Sequence, residues 1–324
     1  MACDTSPDNA YENTNGGWKM KRLVIGTRGS ALALAQVNLT EAALAKVLPE
    51  LSTERQIFIT RGDQKLDLNL LVKGEGGGKG LFTRELEDAL ISGAIDVAVH
   101  SLKDLPGHNP PGLEIVAVLE RAPTADVLVG KAPGGLDGLP QGARVGTSSI
   151  RRARQLAWLR PDLRIEEWRG NVPTRLRKLG EREEVAATVL AEAGLRRLGY
   201  AMEDGRLKCE SGEFFAASLA GQLLPAIGQG AVALQARSDR PEVIEVLRAI
   251  NHAPTMFAIR AEREVQRLLS GDCSLPVGVR SEMREGVLLL HGILFGQEGE
   301  APKTAVAEGK EPELVARELV SKLR

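Results

Sequence analysis

The chain has 324 residues, of which 43% are hydrophobic and 26% charged, and its formal net charge is −1. This length exceeds what one hydrophobic core usually organises, so we expect two or three domains. The near-neutral charge and the 3% of aromatic residues argue against nucleic acid as a partner, and no apolar run is long enough to cross a membrane.

The first 19 residues, MACDTSPDNAYENTNGGWK, are polar and lack the apolar core of a signal peptide. We expect 1–19 to be a disordered leader and the fold to begin near Met20. The three cysteines, Cys3, Cys209 and Cys273, form no CxxC pair, which argues against a disulfide framework. We therefore expect a cytoplasmic protein.

From Met20 onwards, short β-branched runs alternate with longer amphipathic ones, which is typical of a mostly parallel sheet with helices packed on it. The first unit begins with the strand RLVIGT, a helix that Ser30 could cap, and the strand ERQIFIT. It continues with a helix in GLFTRELEDALISG, ended by Gly93, and with the strands IDVAV and LEIVAVL.

A second α/β unit starts near Ala125, with strands in VLVG, ARVGTS, LRIEEW and AATVLA and with helices across SIRRARQLAWLR and from Asn171. The remainder, from about residue 241, reads as two helices, a turn around Cys273, strands including VLLLHGILF, and a closing helix, which is typical of a small α+β domain. Two similar lobes that face each other would form a cleft, where ligands bind at strand ends and helix N-termini.

Polar residues cluster at the strand-to-helix junctions. One junction is formed by Thr147, Ser148 and Ser149, whose hydroxyls and free backbone N–H groups favour an anion. The first lobe has a similar junction with Arg28 and Ser30. For any one arginine the alternative is a solvated basic face, but the repeated arrangement favours a polyanionic ligand. The arginines in the first turns of two successive helices are Arg151, Arg152, Arg169 and Arg175.

Two further segments carry candidate chemistry. Ser101, Lys103 and Asp104 directly follow a buried strand, so Asp104 is either part of a structural ion pair or, facing the cleft, an acid/base or cation-stabilising group. Cys273 lies on a turn, in SGDCSLPVG, and is either a small buried hydrophobe or a reactive thiol.

The Gly-rich stretch KGEGGGKG, residues 73–80, lacks the GxxxxGK[ST] spacing of a nucleotide-binding loop. We interpret it as a flap over the cleft that carries Lys73 and Lys79. The four histidines have no metal-ligand spacing, so no metal site is expected.

Seven segments of the chain stand out: GTRGSALALAQ, GLFTRELEDAL, DVAVHSLKDLP, VGTSSIRRARQ, RGNVPTRL, PAIGQGA and GDCSLPVG. Together they resemble the porphobilinogen deaminase (hydroxymethylbilane synthase) family, in the family's order and approximate spacing. The resemblance implies two periplasmic-binding-protein-like α/β lobes plus a small C-terminal α+β domain. The implied bounds are 20–119 with 217–238 for the first domain, 120–216 for the second and 239–324 for the third.

The resemblance also implies the activity. In this family a cysteine matching Cys273 carries a dipyrromethane cofactor through a thioether, and this cofactor primes the condensation of four porphobilinogen molecules into hydroxymethylbilane with release of ammonia. Asp104 matches the catalytic aspartate, and Phe82 matches a phenylalanine that stacks near the pyrroles. The implied cofactor- and substrate-binding residues are Arg28, Ser30, Ser101, Lys103, Thr147, Ser148, Ser149, Arg151, Arg152, Arg169 and Arg175.

Two positions depart from the family pattern. The Gly-rich loop is longer, which leaves the roles of Lys73 and Lys79 open, and Asp272 replaces a common glycine, where its carboxylate is expected to disfavour the neighbouring thiolate. The resemblance implies a monomer. The first alternative is a non-catalytic two-lobed protein that binds a carboxylate-rich ligand, which would need neither Cys273 nor Asp104. The second is a nucleic-acid or protein scaffold, which would need exposed aromatics.

Overall fold

The computed structural model describes residues 20–58, 83–269, 276–297 and 299–324. Several predictions lie outside the described residues: the leader 1–19 and the roles of Lys73, Lys79, Phe82, Asp272 and Cys273.

The first sheet contains β1 (Arg22–Arg28), β2 (Ser52–Phe58), β3 (Val97–Ser101), β4 (Leu113–Val118) and β12 (Val232–Arg237), in the order β2-β1-β3-β12-β4. Its two faces are covered by α1 (Ala31–Val47) and α2 (Arg84–Ser92). Side chains alternate along β3, so Val97 and Val99 pack into the core with α1 and Ala98 into the core with α2.

In the amino-acid sequence, all strands of the second sheet come between β4 and β12 of the first sheet. Its strands are β5 (Asp126–Gly130), β6 (Arg144–Gly146), β7 (Arg164–Glu166), β8 (Val185–Ala191), β9 (Met202–Glu203), β10 (Arg206–Cys209) and β11 (Gly212–Ser218), in the order β7-β6-β8-β5-β11-β10-β9. Its helices are α3 (Ile150–Leu159), α4 (Val172–Glu181) and α5 (Glu192–Arg197). Leu176 and Leu179 of α4 pack against Val129 of β5 and Val185 of β8 in a buried core.

The third unit is a three-stranded antiparallel sheet with helices beside it. Its strands are β13 (Val277–Arg284), β14 (Val287–Leu294) and β15 (Lys303–Gly309). Helix α6 (Pro241–Arg248) precedes this unit in the chain and packs on the first sheet, where Val243 and Leu247 share a buried core with Val97. The helices of the third unit are α7 (Ala253–Leu269) and α8 (Pro312–Leu323). Gly292 allows α8 to pack closely on β14, because a Cβ there would lie 2.8 Å from Leu323 Cδ1. Within the described ranges, no helix is both long and apolar enough to cross a membrane.

The predicted fold class, two α/β lobes and a small α+β domain, is confirmed. The predicted cap and stop are also confirmed: the Ser30 side chain accepts from Ala33 N, and Gly93 ends α2 with a left-handed φ of 76°. The expectation of mostly parallel sheets is wrong. β12 runs antiparallel to β3 and β4, because the chain returns through it from the second lobe to the first. β5, the strand by which the chain enters the second sheet, runs antiparallel to β8 and β11.

Two stretches, which we call the crossovers, join the lobes: 119–125 leads from β4 to β5, and 219–231 leads from β11 to β12. Both are fastened by Glu262 of α7, which is fully buried. Its carboxylate accepts two bonds from Arg121, at 2.6 and 2.9 Å, and one from Gly228 N at 2.7 Å. The third unit is therefore attached to both crossovers by one carboxylate.

Candidate active site

The first wall of the cleft is the turn that follows β3. A short 3₁₀ helix spans Leu102–Asp104, and both Leu102 and Leu105 are buried. Leu102 N also donates to the Ala231 carbonyl at 3.1 Å, which ties the turn to the second crossover. Because the two leucines point inwards, Lys103 and Asp104 between them are exposed.

A small pocket beside this turn brings four predicted site residues together. Arg28, Ser30, Ser101 and Asp104 all line it. Gln36 of α1 is buried and donates to Ser101 Oγ at 2.7 Å, which orients that hydroxyl. The pocket joins a guanidinium, two hydroxyls and a carboxylate, a set that suits a ligand with both N–H and carboxylate groups.

The floor of the pocket contains a buried polar chain that sequence reasoning missed. His100 Nε2 lies 3.0 Å from Gln235 Oε1, and Gln235 Nε2 donates to Glu87 Oε1 at 3.4 Å. Burial lowers the pKa of His100 to about 4, and burial raises the pKa of Glu87. His100 is therefore neutral at pH 7 and donates its Nε2–H to Gln235.

The second wall is the junction between β6 and α3. Ser149 caps α3 by accepting from Arg152 N at 3.4 Å, and the Thr147 hydroxyl accepts from Ser149 N at 3.2 Å. Ser148 Oγ accepts from Trp168 N at 2.9 Å. The three predicted hydroxyls thus shape the junction as acceptors, and each keeps its own hydrogen to donate to an anion.

Behind this junction, two of the predicted arginines share a carboxylate that the sequence did not reveal. Asp126 is buried, and its two oxygens contact Arg151 Nη2 at 2.8 Å and Arg152 Nη2 at 2.8 Å. Gln229 of the second crossover donates to the same carboxylate at 2.9 Å. Burial alone would raise the pKa of Asp126, but the guanidinium groups of Arg152 and Arg151 hold it well below its usual range.

A signal for this carboxylate was present in the sequence. Asp126 is the first residue of DVLVG, a strand in which every residue is buried. Because an acid in such a position needs a positive partner, the strand itself points to nearby arginines. Arg151 retains one unsatisfied donor: its buried Nε has no hydrogen-bond partner in the described structure.

Charges on the two walls act on one another across the cleft. The Lys103 side chain reaches solvent, but protein atoms surround it closely. These atoms displace part of the water around the ammonium group, which lowers the pKa of Lys103 to about 8. Asp104 and Asp126 oppose the shift, whereas Arg152 and Arg151 of the second wall reinforce it. Burial lowers the pKa of Arg175 to about 10, with a further decrease from Arg152 and an opposing effect from Asp104. The charges of the 3₁₀ turn and of the arginines of α3 and α4 therefore lie near enough to influence one another.

The remaining predicted arginine lies at the edge of this arrangement. Arg169 Nε donates to Glu167 at 2.6 Å, and the Arg169 carbonyl accepts from Lys178 at 3.1 Å, so both contacts stay within its own lobe. Arg175 donates its Nε–H to the Gly170 carbonyl at 2.8 Å. Roles in ligand binding stay predictions for both residues.

Comparison with known proteins relates most of the chain to one family. The family described as "Porphobilinogen deaminase, dipyromethane cofactor binding domain" matches residues 23–245, and "Porphobilinogen deaminase, C-terminal domain" matches residues 256–324. A porphobilinogen deaminase of Moorella thermoacetica is 43% identical over 306 residues, which cover 94% of this chain and 93% of that protein. One of Desulforudis audaxviator is 45% identical over 280 residues, covering 86% of each.

Among solved structures, the periplasmic aliphatic sulphonate binding protein SsuA from Escherichia coli is similar at 13% identity. The similarity covers 78% of this chain and 70% of that chain, with a TM-score of 0.36.

Proposed function

Because the chain belongs to the porphobilinogen deaminase family, and so catalyses the deaminating condensation of four porphobilinogen molecules into hydroxymethylbilane, we propose specific roles for the residues of its cleft. The enzyme is a transferase of tetrapyrrole biosynthesis that uses a dipyrromethane cofactor. The observation that carries the proposal is the pocket in which Arg28, Ser30, Ser101 and Asp104 meet.

The donors of the second wall fit this cofactor. Dipyrromethane carries carboxylate side chains, and the wall offers hydroxyl hydrogens, the buried Nε of Arg151 and a guanidinium pair whose charge exceeds that of Asp126. When bound, the cofactor supplies two linked pyrroles whose free α-carbon primes chain growth. We assign Ser149, Arg151 and Arg152 to its carboxylates, and Cys273, outside the described residues, to its attachment.

Asp104 is assigned the catalytic role. Its carboxylate lies exposed in the cleft, next to the pocket formed with Arg28, Ser30 and Ser101. A carboxylate in this place accepts N–H bonds from a pyrrole and stabilises positive charge that develops on the ring. Lys103, beside it, keeps its positive charge below about pH 8 and binds a substrate carboxylate.

The other predicted residues bind the acetate and propionate groups of the pyrroles. Arg175 is suited to this role, because within the described part its side chain donates through Nε, which leaves both Nη groups for a carboxylate. We assign the same role to the remaining binding residues: Arg28, Ser30, Ser101, Thr147, Ser148 and Arg169.

We also propose the domain bounds 20–119 with 217–238, 120–216 and 239–324. The membership of β12 in the first sheet supports the return of the chain to the first domain. A monomeric state and a cytoplasmic location complete the proposal, with porphobilinogen as the substrate.

The test combines intact mass with turnover of porphobilinogen. We expect the purified protein to exceed its sequence mass by two linked pyrroles, Cys273→Ser to lack this excess, and Asp104→Asn to carry it without turning over. Asp239→Asn, which removes one carboxylate from an exposed ion pair with Arg237, is the matched control and should remain active. Full turnover by Asp104→Asn would refute the catalytic assignment. Full turnover by Cys273→Ser would refute the attachment site.

A further inference from the structure

Helix α7 of the third unit lies against the loop that directly follows Asp104. Gln266 Nε2 donates to the Leu105 carbonyl at 3.1 Å, and Arg263 Nη1 donates to the Pro106 carbonyl at 3.1 Å. The first of these bonds is made to the residue next to Asp104 in the chain. The loop carbonyls are thus satisfied by side chains from a different domain.

Apolar side chains also pack at the contact between α7 and this loop. Leu102 and Leu105, which flank Lys103 and Asp104, share a buried cluster with Ile259 of α7. Further along the loop, Gly107 approaches the helix backbone so closely that a Cβ there would lie 3.3 Å from Arg267 N. The two leucines that flank Lys103 and Asp104, and the loop that follows them, are therefore packed against α7.

The bonding of Arg263 differs from that of its neighbours on the helix. Arg260 pairs with Glu313, whereas Arg263 directs its guanidinium to the Pro106 carbonyl and, at 3.0 Å, to Asn109 Oδ1. Burial lowers the pKa of Arg263, with no opposing effect from an acidic group. Within the described residues, the guanidinium contacts neutral acceptors of Pro106 and Asn109 and no carboxylate, so its bonds attach the loop to α7.

We propose that Gln266 and Arg263 are positioning residues for the reaction: their bonds to residues 105–109 fix the turn that carries Asp104, so the placement of α7 sets the placement of the catalytic carboxylate. The inference rests on the role proposed above for Asp104. It assigns to the third domain a part in catalysis that is separate from cofactor attachment. A misplacement of a catalytic group by about 1 Å can cost on the order of 100-fold in rate, so two hydrogen bonds at this loop suffice for a large effect.

The first test uses holoenzyme with Gln266→Met, Arg263→Met and the pair, since methionine matches the length of glutamine and the aliphatic stem of arginine and removes the donors. Arg260→Met is the matched control on the same helix, because its partner Glu313 belongs to the third domain. At equal cofactor content by intact mass, we expect kcat for porphobilinogen consumption to fall about 10-fold in each single variant and KM to change less than about two-fold. Unchanged kcat in the double variant would overturn the proposal.

A second readout separates positioning from general loosening. Hydrogen exchange of a peptide covering residues 102–109 should accelerate in Gln266→Met, while peptides from β13 and β14 keep wild-type exchange and Arg260→Met changes neither. Equal acceleration throughout the third domain would show a purely structural role and overturn the proposal.

A third readout is whether the effects of substitutions at Gln266 and at Asp104 on kcat depend on each other. In an Asp104→Glu background the carboxylate is already displaced, so adding Gln266→Met should cost less than it does in the wild type. If the losses of kcat caused by Asp104→Glu and Gln266→Met multiplied in the double variant, the proposal would be contradicted. If Asp104→Glu and Asp104→Asn were both fully active, the role of Asp104 would be refuted instead. Hydrogen exchange of residues 102–109 would still report whether α7 holds the loop.

Discussion

Arg152 donates to a single oxygen of Asp126 through both Nε, at 3.1 Å, and Nη2, at 2.8 Å, and both side chains are buried. Arg151 contacts the other oxygen at 2.8 Å. Two guanidinium groups against one carboxylate leave an excess positive charge in the wall of the cleft. An anionic ligand that neutralises this excess therefore gains both binding energy and a rigid partner.

Asp126→Asn should unfold more easily and should be isolated without cofactor. The substitution keeps the shape of the side chain but leaves two buried guanidinium groups without a counter-charge, which typically costs about 3–5 kcal/mol. Denaturant unfolding and intact mass check the two effects. Glu181→Gln, in an exposed pair with Arg177, should change neither, and wild-type cofactor content in Asp126→Asn would contradict the expectation.

His100 should make the stability of the fold depend on pH. Its pKa is about 4 in the folded protein, below the value of about 6.5 for an exposed histidine, so protons favour the unfolded chain. Stability should be fully present above about pH 6.5 and should fall towards pH 4, by about 3 kcal/mol in total, since one pKa unit corresponds to about 1.4 kcal/mol.

Urea unfolding between pH 7 and pH 4 measures this dependence. His100→Gln should show a flatter profile across the same range, whereas exposed His108→Gln should follow the wild type. Parallel profiles for the wild type and His100→Gln would show that another group is responsible.

Lys103 should titrate near pH 8 when the cleft holds no ligand, because the surrounding protein disfavours the ammonium form. In cofactor-free Cys273→Ser protein, the rate of acetylation at Lys103 as a function of pH, read by peptide mass, should have its midpoint there. Because Asp104 raises the pKa of Lys103, Asp104→Asn should move the midpoint down. Porphobilinogen, which brings carboxylates, should move it up. A midpoint that neither change affects would place Lys103 outside the cleft.

Gly146→Ala should damage the second wall. A Cβ at position 146 would lie 2.5 Å from Trp168 Cδ2, so the buried indole must move, and overpacking of this kind costs roughly 1–3 kcal/mol. Trp168 N also donates to Ser148 Oγ, so the cleft should change together with the core. Thermal unfolding and turnover should both fall. Gly142→Ala, on the surface with φ +72° and open space around it, is a control for strain alone.

Local signals in the sequence predicted local structure well. The hydroxyl of Ser30 and the missing side chain of Gly93 act within one helical turn, so their effects can be read directly from the chain. The sequence also placed Asp104 after a buried strand, and the motifs around it indicated the family before any geometry was known.

Long-range pairings were not predictable in the same way. Asp126 contacts arginines 25 and 26 positions away in the sequence, and Gln266 contacts a carbonyl 161 positions away. The direction of β12 likewise depends on a partner strand more than 100 residues earlier. Alternation of apolar residues gives the same pattern for parallel and antiparallel neighbours, so periodicity cannot choose between them.

The place of β12 in the first sheet determines which lobe can fold first while the chain is being synthesised. This strand lies between β3 and β4, and β4 has no other strand partner within the described sheet. A ribosome that has released residues up to 218 has delivered every strand of the second sheet, while the first still lacks its connecting strand. The second lobe can therefore close during translation, whereas the lobe that begins the chain stays open until residue 237 emerges. The first part of the enzyme to be made is completed after its middle.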